Sequence, residues 1–504
     1  MAIIDSVKKR KQTFIAHMVA FEPITWEFSG ATTGAITWRP FCLLFPRYAF
    51  ESVGSTVTIY ATNSYIRPTT GGTGNYCVWS KISGAGSIVD NLNNTCTVTV
   101  GAGITKIKCT VTIGGQTADG YAYVYGGSAG NLDGLVSDVD LSGALDTGGW
   151  EASITLRGDY TSVLTDDGRD QPILLHTRMW WDDVEDNFGG YGRHQSTFLL
   201  ICTNAELYEA YGDYYTKLSL ATPEYILDNM HLGEMKYSES AASGYYSTAN
   251  LTPTDVAYHI LRECTNYGEE FNVSLWNNAS TISNFTVRAD STVWAAIRDC
   301  HEYNFGILWM NQWGNLNGKP APWARYDEWS AIITKVYDGT DRLTLDAVMS
   351  WNLIRKSPDV CHEIILQAVS PTMAILTATR YAGNPGHDSV IGKTIRIESL
   401  VCESQATLES WADCYADFIN NEYEMDLVMA MGHELDIGDE LDLPDDIDHE
   451  LGGVHKMYDE YSASHLWDVA GWLVKDVSYQ WDFGAGHWTR NLHLVKLRKW
   501  TETP

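Results

Sequence analysis

Residues 402–444 read CESQATLESWADCYADFINNEYEMDLVMAMGHELDIGDELDLP, and this stretch predicts a helix, a strand and a tight turn in succession. Ser404 is the predicted N-cap of the helix. The apolar face of that helix consists of Leu408, Trp411, Ala412, Tyr415, Phe418 and Ile419. The run from Met425 to Met431 predicts a strand that Gly432 ends. Because no side chain here offers obvious chemistry, the order of the parts is the informative feature.

A turn and a closing hairpin complete this C-terminal region. The motif Ile437-Gly438-Asp439 predicts a turn into a short alternating strand that ends at Pro444. A long hairpin then follows, with predicted strands from Trp472 to Trp481 and from His487 to Leu497. The positions that define the two motifs are Ile437, Gly438, Asp439, Leu441, Leu443, Val474, Val477, Ser478, Tyr479, Trp488, Thr489 and Leu492.

This order of helix, strand, turn and hairpin resembles the C-terminal part of phage tail hub proteins, the late-control-D-like baseplate-hub family. Family members are structural, and the resemblance implies a homotrimer whose tube-like β-barrels surround a threefold axis. It also implies neighbours in the virion tail: tail tube protein, tape measure protein, and a tip, fibre or receptor-binding component. DNA would pass through the ring without specific binding.

The middle of the chain follows the same order of parts. The motif Asp146-Thr147-Gly148-Gly149-Trp150 leads into an alternating strand, and its pattern resembles the entry to the first tube-like barrel of tail hubs. A helix is predicted from Leu251 to Tyr267, with Thr252 as its cap, Pro253 at its first position and Asp255 at its third. A second helix is predicted from Asp290 or Ser291, followed by a strand from Phe305 to Trp309. These elements resemble the small α+β domain of the family.

The N-terminal region contains a second type of pattern. Between residues 45 and 128, five or six short strands separated by turns predict a β-sandwich that resembles bacterial immunoglobulin-like domains. Trp79 is its predicted core tryptophan, and Cys77 and Cys109 could lie near each other. Such a domain could contact a host surface glycan. The basic run Lys8-Lys9-Arg10-Lys11 is interpreted as a solvated face or, alternatively, a nucleic-acid patch.

The predicted fold is α+β and β-dominated, with two tube-like β-barrel domains, a small α+β domain and an immunoglobulin-like β-sandwich. The predicted divisions are an N-terminal segment (1–44), the immunoglobulin-like domain (45–128), the first barrel (129–245), the α+β domain (246–330) and the second barrel with the C-terminal helix and hairpin (331–504).

Composition excludes several classes of protein. The 504 residues carry 34 basic and 64 acidic side chains, a net charge of −30, which argues against a protein that grips phosphate. An acidic wall would instead repel passing DNA. No uninterrupted apolar run of about 18 residues occurs, so no membrane span is expected. With no signal peptide either, synthesis in the host cytoplasm and a final place in the virion are expected.

Residues with catalytic or metal-binding potential form no diagnostic pattern. The acidic pairs Asp166-Asp167, Asp182-Asp183 and Asp445-Asp446 could serve a glycosidase only if they were held across a sugar cleft. Asp445, Asp446, Asp448 and His449 could bind a cation, although the spacing is not that of an EF-hand. With no nucleophile, zinc or phosphate-loop motif, the sequence predicts a non-enzymatic hub without catalytic residues, metal or cofactor. The alternative is a carbohydrate-binding surface adhesin.

Overall fold

The structure is a computed structural model, and the residues that it describes are 11–21, 24–26, 33–36, 40–62, 76–92, 94–113, 115–127, 136–161, 171–182, 193–276, 281–325, 336–337, 348–355, 361–381, 393–420, 423–430, 435–441, 472–482 and 487–497. Strands dominate these residues and helices are few, which confirms the predicted β-rich α+β class.

The largest element of the fold is a 12-stranded sheet, called here the large sheet. Its main path runs through β1 (Lys11–Ala20), β13 (Gln171–Asp182), β14 (Arg193–Ala210), β15 (Asp213–Ala221), β12 (Gly149–Arg157), β11 (Val136–Ala144), β29 (Trp472–Asp482), β30 (His487–Lys496), β27 (Tyr423–Ala430) and β23 (Val348–Arg355). Two short strands lie off this path, β22 (Val336–Tyr337) and β28 (Glu440–Leu441).

The large sheet joins the two regions that the sequence assigned to separate barrels. Strand β11 pairs with β29 in antiparallel register, with Leu141 opposite Tyr479. The predicted C-terminal hairpin is present as β29 and β30. The expected pair of separate barrels is therefore not seen: in the described part of the chain, strands of both regions belong to one continuous sheet, and no sheet closes into a barrel. Strand β1 comes close to β30, so this sheet curls.

One face of the large sheet encloses an apolar core. The alternating side chains Val139, Leu141, Ile154, Leu156 and Val477 point into it. Three aromatic side chains lie at its centre, where the ring centroids of Trp150 and Phe198 are 5.1 Å apart and those of Phe198 and Tyr479 are 5.7 Å apart. Since these strands come from distant parts of the chain, the core holds the N- and C-terminal halves together.

Two four-stranded sheets form the N-terminal region over a common core. One contains β4 (Tyr48–Glu51), β10 (Gln116–Gly126), β9 (Gly103–Ile113) and β6 (Tyr76–Ser83), and the other contains β3 (Leu43–Phe45), β5 (Thr56–Thr62), β8 (Thr95–Thr99) and β7 (Ser87–Asp90). Trp79 is buried in the shared core, as predicted. Cys77 and Cys109 lie on the paired strands β6 and β9, and both are free thiols.

This N-terminal sandwich is fixed to the small domain by a buried arginine. The Arg47 side chain donates hydrogen bonds to Asn272 Oδ1 at 2.7 Å and to the Cys42 carbonyl at 2.6 Å. Tyr123 adds a hydrogen bond from its hydroxyl to Glu270 Oε2 at 2.8 Å. Burial lowers the pKa of Arg47, an effect that nearby groups, including Cys42 and Glu270, oppose. Buried polar contacts therefore join the sandwich to the small domain.

The small α+β domain and a C-terminal unit contain the remaining sheets and the helices. In the small domain, one sheet contains β19 (Asn284–Val287), β16 (Met235–Ser238), β17 (Tyr246–Ser247) and β2 (Gly34–Ala35), and another contains β18 (Val273–Leu275), β21 (Leu316–Pro320) and β20 (Gly306–Met310). Its helices are α1 (Glu224–Asn229), α2 (Pro253–Glu263), α3 (Tyr267–Glu270) and α4 (Val293–Glu302). The C-terminal unit packs helix α5 (Gln405–Asn420) on a sheet of β25 (Ile375–Arg380), β24 (Cys361–Val369) and β26 (Lys393–Val401).

Helix α2 begins with the capping box that the sequence predicts. The Asp255 amide donates to the Thr252 hydroxyl at 3.1 Å, and the Thr252 amide donates to the Asp255 carboxylate at 2.8 Å. Pro253 occupies the first turn. We expect Thr252→Ala to destabilise this helix by about 1 kcal/mol because the Asp255 amide loses its acceptor. Thr252→Ser keeps the hydroxyl and is the control. Hydrogen exchange at the first amides of α2 measures the effect, and equal exchange in the two variants would contradict it.

Candidate functional site: an acidic face on the large sheet

The outer face of the large sheet is polar over β11, β12 and β29, because these strands alternate. On β11, exposed Asp138, Asp140 and Ser142 alternate with side chains that point into the core. Ser142 lies opposite Glu151 of β12, and Asp140 lies opposite Ser153. On the other side of β11, Asp140 lies opposite Gln480 of β29. The same polar row therefore crosses β12, β11 and β29.

Carboxylates outnumber basic groups across this surface, which we call the acidic face. Its described carboxylates on the pairing rows of β11, β12, β14, β15, β27 and β29 are Asp138, Asp140, Glu151, Glu206, Asp213, Asp426 and Asp476. Its described basic side chains are Arg157, Lys217 and His493. Arg157 is already paired with Asp213 at 2.6 Å, and Lys217 lies opposite Glu206. The acidic face therefore carries excess negative charge.

A groove of about 450 Å³ crosses the acidic face over β11, β27, β29 and β30. His493 lies in it, with Nδ1 2.8 Å from Asp426 Oδ1 and Nε2 3.5 Å from Glu424 Oε2. Asp476 lies opposite His493 on β29, and burial raises the pKa of its carboxyl, while the charges of Lys475 and His493 oppose that rise. Among the described residues, both ring nitrogens of His493 therefore lie within 3.5 Å of a carboxylate.

A tight turn that contains Asp436 contacts the core side of the large sheet, opposite the acidic face. Asp436 Oδ1 accepts a hydrogen bond from Trp150 Nε1 at 2.8 Å, and Asp436 Oδ2 accepts one from the Gln312 amide at 3.0 Å. Trp150 belongs to the large sheet and Gln312 to the small domain, so one carboxylate connects both to the C-terminal turn. Burial, and then the neighbouring Asp439 carboxylate, raises the pKa of Asp436.

The turn requires its glycine. Gly438 has φ +80°, and a Cβ at this position would lie 2.9 Å from the Trp309 ring. The Asp436 amide donates to Asp439 Oδ2 at 2.8 Å and closes the turn. The predicted Ile437-Gly438-Asp439 turn is confirmed, whereas Asp442 to Pro444 lie outside the described residues. Sequence reasoning missed Asp436, although an acidic residue between the apolar Leu435 and Ile437 was the available signal.

A second carboxyl that is largely shielded from water belongs to Glu224, the first residue of α1, and lies against Gly149 at the start of β12. Glu224 packs against Gly149 and Thr222, and burial raises its pKa to about 8. In the unfolded chain this carboxyl ionises near pH 4. The folded state therefore keeps a proton on this carboxyl between these pH values, so the contribution of Glu224 to stability is largest below about pH 4 and is lost as the pH rises through 8.

We expect Glu224→Gln to remove this pH dependence. The variant should gain stability relative to the native chain as the pH rises from about 5 to 9, because glutamine carries no charge to bury. Thermal unfolding at several pH values measures the difference, and the exposed Glu239→Gln is the matched control. If the difference in stability between the native chain and Glu224→Gln stayed constant over this pH range, the raised pKa of Glu224 would be contradicted.

Most of the residues that the sequence singled out for catalysis or metal binding are not among the described residues. Asp166, Asp167, Asp183, Asp445, Asp446, Asp448 and His449 lie outside the described residues, and Asp182 ends β13. Among the residues with described positions, no group of three or more His, Cys, Asp or Glu is arranged to hold a metal ion. No described helix has the length and apolar character needed to cross a membrane.

No family model matches the sequence, and no match was found among curated proteins. Solved structures with similarity include the tail protein from Neisseria meningitidis MC58, at 12% identity and a TM-score of 0.45, covering 78% of this chain and 97% of that one. The 43 kDa tail protein of prophage MuSo2 from Shewanella oneidensis is similar at 11% identity and a TM-score of 0.43, covering 78% and 98%. A chain of the Francisella PdpA-VgrG complex is similar at 12% identity and a TM-score of 0.42, covering 73% and 55%.

Proposed function

We propose that this chain is a non-enzymatic structural hub protein at the distal end of a phage tail, where its acidic face lines a channel for DNA. The observation that carries the proposal is the excess of carboxylates on the outer face of the large sheet. A negative surface repels phosphate, so DNA slides past it without a bound state. The sequence resemblance to tail hubs provides independent support.

The edges of the large sheet suit a ring of subunits. Among the described strands, β23 stands at one end of its main path, and β1, at the other end, comes close to β30. Open edges pair readily with other chains, and closing a ring of identical subunits removes them. We therefore propose a homotrimer with tail tube protein on one side and a tip, fibre or receptor-binding component on the other. Tape measure protein would contact the channel, and the N-terminal sandwich would be an immunoglobulin-like domain facing the host surface.

The particle mass tests the ring. We expect light scattering of the purified chain, measured at several concentrations, to give a particle of about three times 56.2 kDa, because edge pairing around a threefold axis closes only at three subunits. Negative-stain images of that particle should show a central channel. If the chain stayed monomeric across the concentration range, and also after tube protein was added, the proposal of a hub would be contradicted.

A carbohydrate-binding adhesin is the second candidate, and one observation favours it. Phe45 and Tyr60 lie opposite each other on β3 and β5 and are 42% and 51% exposed. Paired exposed aromatic rings can stack on sugars. An adhesin would remain monomeric and bind a glycan array through this pair, and Phe45→Ala would then abolish the binding. A hub would form its trimer regardless of Phe45→Ala.

A further inference from the structure

Three sheets of the protein end at one groove. In the part of the chain that is described, β19, β20 and β26 are each the outer strand of a different sheet. The first part of the groove has a volume of about 390 Å³ and lies between β19, α4 and β26. The second part has a volume of about 330 Å³ and lies between β20 and β26. Glu302, Ile397 and Leu400 line both parts, so the groove is continuous.

The two parts of the groove differ in chemistry. The first is polar, and its charged side chains are Arg288, Asp299, Glu302 and Glu398. The second is mainly apolar, lined by Leu145, Phe305, Ile307, Leu308 and Trp323, with Asp146 and Arg298 at its margin. A ligand that fills both must offer a polar or charged group at one end and an apolar group at the other.

In the polar part of the groove, two carboxylates form ion pairs with arginines and one does not, among the described residues. Glu302 pairs with Arg298 at 3.5 Å, and Glu398 pairs with Arg396. Asp299 forms no side-chain hydrogen bond or ion pair with any residue in the described ranges. Burial raises the pKa of Asp299, while Arg298 and Arg288 lower it. Asp299 is exposed and lines the groove, so a cationic side chain in the groove would form an ion pair with it.

The strand edges provide backbone recognition. Among the described strands, β26 pairs with β24 alone, and the Val401 amide of β26 donates a hydrogen bond to the Tyr303 carbonyl at 2.6 Å. Strand β19 likewise pairs with β16 on one side. Unpaired strand edges accept a further strand through main-chain hydrogen bonds, while pockets for alternate side chains set its specificity.

We propose that an extended, lysine- or arginine-bearing segment of a partner protein binds this groove as an added strand. Its backbone pairs with the outer edge of β26 or β19. Its cationic side chain lies beside Asp299, and an apolar side chain two residues away enters the part lined by Ile307 and Trp323. This assignment does not depend on the tail function, because it rests on the groove and the sheet edges alone.

A defined peptide tests the proposal with the full chain. The probe is a fluorescein-labelled, seven-residue peptide, Thr-Thr-Lys-Thr-Val-Thr-Thr, in which lysine and valine are two residues apart and therefore point to the same face of a strand. Fluorescence anisotropy measures its binding. Two altered probes separate the contributions. The first replaces lysine by glutamate, and the second carries N-methyl groups on alternate amides and cannot form a ladder. We expect each altered probe to bind at least tenfold more weakly than the parent peptide.

Protein variants place the binding in the groove. We expect Asp299→Asn to weaken binding of the lysine-containing probe at least threefold, whereas the exposed control Glu239→Gln should leave the affinity unchanged. Hydrogen exchange should slow at residues 285–288 and 397–400 when the probe is added. Absence of binding at millimolar concentration, equal binding of the N-methylated probe, or an unchanged affinity in Asp299→Asn would each overturn the proposal. The result with the N-methylated probe also distinguishes strand addition from ionic attraction to an acidic chain.

Discussion

Replacing Trp150 by alanine is expected to lower the opening free energy of the large sheet by about 3–5 kcal/mol. Trp150 is fully buried at the centre of the core and packs edge-on against Phe198. The centroid of its ring is also 5.9 Å from the ring centroid of Tyr479, which belongs to the C-terminal hairpin. Alanine would leave a cavity between the two halves of the chain and would remove one of the two hydrogen bonds that Asp436 Oδ1 accepts, the other coming from the Ile437 amide.

Hydrogen exchange of the β12 amides measures this prediction for the large sheet alone. A chain with several folding units need not unfold in two states, whereas native-state exchange reports local opening. The expected loss corresponds to exchange faster by a factor of about 100 or more. Trp150→Phe keeps an aromatic ring and removes the indole N–H, so it should cost about 1–3 kcal/mol. Equal exchange in Trp150→Ala and the native chain would show that this ring does not join the halves.

Local features of the fold could be predicted from the sequence. The capping box at Thr252 and Asp255 depends on residues three positions apart, and the Gly438 turn depends on one backbone angle. Neighbouring residues determine both, so a short window of sequence contains the information. The closing hairpin was predictable for the same reason, since its strands are adjacent in the chain.

The long-range pairing of the large sheet could not be predicted. Alternation on β11 shows that Asp138 and Asp140 face away from a core, but it does not show which strands lie beside them. The contact of β11 with β29 depends on packing among Trp150, Phe198 and Tyr479, which no local pattern encodes. For this reason the sequence pattern predicts two separate barrels. The acidic face becomes apparent only when the structure shows which residues of neighbouring strands lie opposite each other. The domain boundaries stay predictions.

Reversing charges on the acidic face is expected to create DNA binding where the native chain has none. In the variant Asp138→Lys, Asp140→Lys, Glu151→Lys, each substitution changes the charge by +2, so the net charge becomes −30 + 6 = −24. These side chains are exposed, so the fold should be preserved. Three lysines that neutralise about three phosphates would give a salt slope near −2.7, roughly a 40-fold loss of affinity between 50 and 200 mM salt.

A matched variant shows whether position or total charge matters. The exposed residues Glu234, Glu239 and Glu403 lie off the acidic face, and their triple replacement by lysine also gives a net charge of −24. Filter binding of duplex DNA over a range of salt concentrations compares the two variants. Only the variant of the acidic face should retain DNA, because only that surface would meet DNA along a channel. Equal retention by both variants would mean that the charge of the whole chain, and not a lining surface, keeps DNA from binding.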